Sequence, residues 1–163
     1  MSAKVIVALC GMVLLGTSAD AQDDTHAQLA QLVRQGDDLM SRALAIAQTR
    51  PATRSQVDTV TDGSARRWEA DESAFQAQLD SLLDRYRDLA PDMREGVNRL
   101  VRFANYAFDG LTHLTFCEDA EADWDLAIAA QLLQHARLAA QGHADPDWHP
   151  DVQSDPKVKG DCR

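Results

Sequence analysis

The sequence predicts an all-α protein, an antiparallel four-helix bundle with a disulfide-tethered irregular C-terminal tail. Three observations predict it. Over residues 93–114 the apolar positions Met93, Val97, Leu100, Ala104, Ala107, Leu111 and Leu114 step alternately by four and three, the spacing of one buried helical stripe. Three further segments repeat that period, and no strand-like alternation competes with it. Two cysteines outside the leader, Cys117 at the end of the stripe and Cys162 in the tail, stand ready to be joined.

The leader comes first. Lys4, an apolar run over residues 5–16 and the small-residue stretch Ser18, Ala19, Asp20 and Ala21 have the form of a secretory signal peptide, with cleavage expected after Ala21. The apolar run is shorter than the roughly 20 residues that cross a bilayer. Cys10 follows Leu9 where a lipid-attachment signal wants a small residue, so lipidation is not expected. The expected domains are therefore a signal peptide over 1–21, a bundle over 22–142 and a strap over 143–163. The mature protein is expected to be periplasmic or secreted.

Losing residues 1–21 removes Lys4 and Asp20 and leaves the formal net charge at -10. Such a surface repels phosphate backbones and anionic lipid, which argues against nucleic acid and, after cleavage, membrane as partners. A basic protein would be drawn to it. Thiols in an exported chain are most simply paired, so Cys117 and Cys162 are expected to form a disulfide. Closing a loop of about 46 residues would stabilise the fold by ~4 kcal/mol in the chain-entropy account. Redox chemistry is not expected, because the C-x-x-C spacing is missing.

Helix 1 is expected over 25–50, with Leu29, Leu32, Gly36, Leu39, Ala43 and Ile46 on its inner face, Asp24 or Thr25 as cap and Pro51 as stop. Residues 51–64 lack a helical period and read as a long connection with room for a binding loop. Ser64 is the expected cap of helix 2, whose seam runs Trp68, Glu72, Phe75, Leu79, Leu82, Tyr86 and Leu89. Pro91 breaks the chain, and Asp92 with Glu95 gives helix 3 a capping-box-like start. The period continues through Asp109 and Gly110, so helix 3 is expected to be unbroken there, at a glycine cost of about 1 kcal/mol. Helix 4 should start near Asp119, present Ala122, Leu126, Ala129, Leu133, Ala136 and Ala140, and end at Gly142. A tail that brings Cys162 back to Cys117 must return along the bundle, so Trp148 or Val152 is expected to pack in an inter-helix groove.

Glu118, Asp119, Glu121, Asp123 and Asp125 crowd the start of helix 4, more acids than a helix N-terminus needs. This acidic patch is the expected partner-binding site. Its alternation resembles a calcium loop, yet Trp124 stands where that loop needs glycine and Ala130 where it needs glutamate. His143, Asp145, Asp147, His149 and Asp151 offer metal-ligand types, but on a proline-broken segment that does not preorganise a site, so no metal is assigned. No cofactor is assigned either: C-x-x-C-H is absent, and Met40 and His135 sit at levels of the bundle that differ by about 10 Å.

One catalytic hint exists. Glu72 followed by Ser73 on a helix resembles the catalytic start of lytic transglycosylases, which would make Glu72 a general acid in a small cell-wall enzyme. The later glycine-rich segments of that family have no counterpart here. Glu72 is expected instead to pair with Arg66 or Arg94. Asp80, Asp84 and Asp88 form an acidic stripe that Arg85, Arg87, Arg99 and Arg102 can neutralise. The function expected from all this is an exported, non-catalytic binding protein, of the inhibitor or immunity type, with a metal- or cofactor-binding bundle as the alternative.

Overall fold

A computed structural model describes residues 17–50 and 61–151, with side chains over 24–50 and 63–151. Four α-helices appear, α1 (Thr17–Ala47), α2 (Arg66–Leu83), α3 (Pro91–Thr115) and α4 (Asp119–Ala140), and no strand occurs among the described residues. A π-helical turn, Thr61–Ala65, runs into α2, and a 3-10 turn, Tyr86–Asp88, follows it. No described helix is long and apolar enough to cross a membrane.

The stripe that opened the sequence reading is the core of the bundle. Met93, Val97, Leu100, Ala104, Ala107, Leu111 and Leu114 are all buried. The predicted faces of α1 and α2 join them, including Leu29, Leu32, Leu39, Trp68, Phe75, Leu79 and Leu82. Each large side chain removed from water contributes about 1.5–3 kcal/mol, so the stripes rather than intrinsic propensity hold the helices. Directional contacts refine the fit. The Trp68 indole N–H donates to the Leu39 carbonyl at 2.8 Å, and Phe75 meets Phe103 edge-on at 6.0 Å.

Glycine sets how closely α3 and α4 approach. α3 passes through Asp109 and Gly110 unbroken, as the period required. A methyl group on Gly110 would lie 2.9 Å from Leu126 Cγ and 3.2 Å from the Ala122 carbonyl oxygen. The start of α4 therefore rests directly on the backbone of α3 near its end. At the other end of the same pair, Gly96 faces Ala139 as well as Leu29 of α1. Gly36 of α1 is covered by Leu133 and Phe103.

Several boundaries differ from the sequence reading. α1 begins at Thr17, so it already covers the cleavage point expected after Ala21, and it ends at Ala47, where the Thr49 hydroxyl donates to the Ile46 carbonyl. Ser64 is not a cap: Ala65 precedes α2 in helical geometry, because the π-helical turn feeds straight into it. α2 stops at Leu83, and Tyr86 in the 3-10 turn and Leu89 just after it reach the core instead. Asp92 and Glu95 form no capping box. Pro91, with its preset φ, starts α3; Asp92 accepts from the Met93 N–H and Glu95 pairs with Arg99. On α4 Ala140 is partly buried and packs against the core, and its neighbour Ala139 is buried as well.

α4 ends as its glycine implied. Gly142 has φ +78°, His143 N–H donates to the Leu138 carbonyl at 2.8 Å, and Gly142 N–H to the Ala139 carbonyl at 3.0 Å. The chain then turns back over α3 and α4. Trp148 is half-buried and packs against the core, stacked on His135 at 3.6 Å with Arg99 4.6 Å from its ring centre. Val152 and Cys162 lie outside the described residues.

Candidate functional site

The acidic stretch sits in the turn between α3 and α4, and α3's ending explains the turn's shape. Cys117 takes the left-handed position, φ 59°, that usually belongs to glycine, while its N–H donates to Leu114 and that of Glu118 to His113. Holding an L-residue there costs roughly 1–2 kcal/mol. Cys162, with which Cys117 is expected to pair, lies outside the described residues. Just before Cys117, Phe116 is 63 % exposed, the most exposed large apolar side chain among the described residues.

The five predicted acids play three different parts. Glu118 bonds His113 Nδ1 at 2.5 Å, and buried Asp125 approaches Nε2 of the same ring at 3.4 Å. His113 thus bridges the turn and the second turn of α4. Burial lowers the pKa of His113, but the Glu118 hydrogen bond and the charges of Asp125, Glu118 and Glu121 outweigh it and raise the pKa above its ordinary value. Asp119 and Asp123 face α1, where Arg50 lies 3.5 Å from Asp119 and bonds Asp123. These carboxylates hold the already high Arg50 pKa higher still, Asp123 most strongly. Glu121 is half-buried. The patch is therefore part clamp and part surface: Arg50 and His113 offset some of its charge.

Sequence reasoning did not single out His113, Arg50 or Phe116. His113 stands five residues before Glu118, a spacing that acquires meaning only when Cys117 reverses the chain. Arg50 is distant along the sequence, and only the placement of α1 brings it to Asp119 and Asp123.

The other candidates are placed differently. His143, Asp145, Asp147, His149 and Asp151 do not converge, and no group of three or more His, Cys, Asp or Glu able to hold a metal occurs among the described residues. The Asp145 and Trp148 carbonyls instead accept from Arg99, whose guanidinium is buried and salt-bridged to Glu95 at 2.5 Å. Arg99 therefore anchors the tail rather than neutralising Asp80, Asp84 and Asp88. Met40 is buried in the core while His135 stacks on Trp148. Burial and the nearby Arg99 charge lower the His135 pKa, with Asp145 opposing. Glu72 is buried, and the expected arginine is replaced by Gln76, whose amide donates to its carboxylate at 2.6 Å. Of the connection expected over 51–64, residues 51–60 lie outside the described residues.

Among the described residues, open grooves flank α1. One, of about 520 Å³, lies between the middles of α1 and α2 and is lined by Gln31, Arg34, Gln35, Asp38, Phe75 and Gln78 among others. The second, of about 540 Å³, lies between the end of α1 and the start of α2 beside Ile46, Thr49, Arg67 and Ala70. No family model, no curated protein and no solved structure matches the chain.

Proposed function

We propose that this chain is an exported, non-catalytic binding protein that offers the acidic α3–α4 turn to a basic protein partner, in the manner of a periplasmic inhibitor or immunity-type protein. The leader-like residues 1–21 and the net charge of -10 support the compartment and the sign of the partner. In this reading the bundle is antiparallel and Cys117 pairs with Cys162, which would hold the tail across α3 and α4. The pairing of Gly96 with Ala139 and of Gly110 with Ala122 and Leu126 supports the helix directions. The seating of Trp148 against the core supports the strap.

The observation that carries the functional reading is Phe116. An exposed aromatic ring next to a rigid turn, with Glu118 and Asp119 following it, has the makeup of an interface anchor: apolar area at the centre and charge around it. The carboxylates steer a basic surface in, and the ring fills a pocket on it. A photo-reactive residue at position 116, introduced in the producing cell, is expected to cross-link one basic exported protein. The same residue at Gln134, on the exposed face of α4, is the control. Equal cross-linking from both positions, or a captured complex that high salt leaves intact, would overturn the reading.

A further inference from the structure

The α3–α4 turn is closed twice by the same residue. The His113 carbonyl accepts the N–H of Phe116 at 3.0 Å and that of Glu118 at 2.9 Å, and the His113 ring holds the Glu118 carboxylate at Nδ1. Oδ2 of buried Asp125 stands 3.4 Å from the other ring nitrogen, Nε2. Both nitrogens therefore face carboxylate oxygens. A neutral imidazole carries one N–H and presents a lone pair at its other nitrogen, so only the imidazolium suits both neighbours at once. Glu118 in the turn and Asp125 and Glu121 on α4 are the charges that act on the ring. Asp109, one turn earlier on α3, is exposed, and Arg50 on the α1 side is engaged with Asp119 and Asp123. Burial disfavours the cation, but the carboxylates of Glu118, Asp125 and Glu121 outweigh it and hold the ring's pKa above its ordinary value.

We propose that His113 is a pH-operated latch on this turn: charged, it ties Glu118 down; neutral, it keeps Asp125 and releases the Glu118 carboxylate, beside exposed Phe116, to a basic side chain of the partner. Solvent access decides which carboxylate is let go. The Asp125 side chain is 7 % exposed and cannot exchange the ring for water without cost, whereas that of Glu118 is 32 % exposed and can. The one remaining proton accordingly stays on Nε2. A partner's cation then takes the place on Glu118 that the imidazolium held, with the Phe116 ring, two residues earlier, offering its face. Rising pH thus frees a carboxylate and removes a positive charge from the patch, and each favours a basic partner. What the latch regulates rests on the partner-binding reading; the latch itself belongs to the chain alone and is tested without the partner.

The test is an NMR pH titration of the full chain that follows the His113 ring nitrogens, the Glu118 carboxyl carbon and the exchange protection of the Phe116, Cys117 and Glu118 N–H groups. The ring is expected to carry both protons below its midpoint and to be the Nε2–H tautomer above it, with a midpoint above 6.5. The Glu118 carboxyl carbon should shift at that same midpoint. Protection of the Glu118 N–H should fall across it, by up to about tenfold for each unit by which the midpoint exceeds 6.5. Glu118→Gln, at a half-buried position, should lower the midpoint, and His113→Gln should remove the step in protection. The Nδ1–H tautomer above the midpoint, a midpoint at or below 6.5, a Glu118 carboxyl carbon or turn amides that do not follow the ring, an unchanged midpoint in Glu118→Gln, or a step that survives in His113→Gln would each overturn the proposal. Cross-linking from position 116 decides the partner-binding reading separately, so either can fail alone.

Discussion

His113 and Cys117 hold the same turn by different means, and each responds to its own variable. His113 has a raised pKa, so its stabilising effect is full below its unfolded value near 6.5 and is lost as pH rises through the higher folded value. In His113→Gln that term disappears. The gap in melting temperature between wild type and variant is therefore expected to be widest in mild acid and to shrink above neutrality; a gap that grows with pH would contradict the clamp. His135 runs the other way, because its folded pKa is lowered and its contribution falls as pH drops below 6.5. For Cys117 the backbone and the sulfur can be separated. Under reducing conditions Cys117→Gly should be more stable than Cys117→Ala by roughly 1–2 kcal/mol in urea unfolding, since only glycine adopts φ 59° without strain. Under oxidising conditions both variants should fall below wild type by up to ~4 kcal/mol if Cys117 closes the long loop with Cys162.

Among the elements, α3 and α4 meet across Gly110, and the strap is held by Arg99. Gly110→Ala gains helix propensity of about 1 kcal/mol but drives a methyl to within 2.9 Å of Leu126 Cγ. Leu126 branches at that atom and has little room to yield, so a net loss of about 1–3 kcal/mol is expected in thermal or urea unfolding. Leu126→Ala in the same chain should recover part of it, a coupling that a double-mutant cycle reads directly. For the strap, Trp148→Ala removes the ring that covers His135 and lies 4.6 Å from the Arg99 guanidinium. The tail should then be cut faster by protease while α1 to α4 remain folded. The His135 pKa, followed by NMR titration, should climb back toward 6.5 as water reaches the ring.

The whole molecule combines a strongly negative chain with local ties between elements that are mostly charged. Arg50 joins the end of α1 to the start of α4, Arg137 bonds Asp37, and Arg42 joins α1 to Asp71 of α2. These pairs are largely exposed and each is worth little, so raising salt is expected to move the melting temperature only slightly. The same salt should sharply slow association with a basic partner, because steering acts through the long-range field rather than through any one pair. Stopped-flow association rates of the cross-linked partner against ionic strength test this, and a salt-independent rate would place recognition elsewhere on the surface.

The sequence by itself determined the four helices, the inner stripe of α3 down to its last leucine, the unbroken passage through Gly110 and the glycine stop after α4. Local periodicity and backbone chemistry suffice for those, because they concern residues a few positions apart. Helix ends were less legible: Ser64 and Asp92 carry the chemistry of caps, but the π-helical turn and Pro91 decide where α2 and α3 begin. Only the tertiary structure decided the destinations of the charges. Arg99 turns inward to the tail, Glu72 meets Gln76, and the acids after Cys117 divide between His113 and Arg50. Long polar side chains reach partners from any helix within several ångströms, so their pairing follows from how the helices lie together, which no single segment encodes.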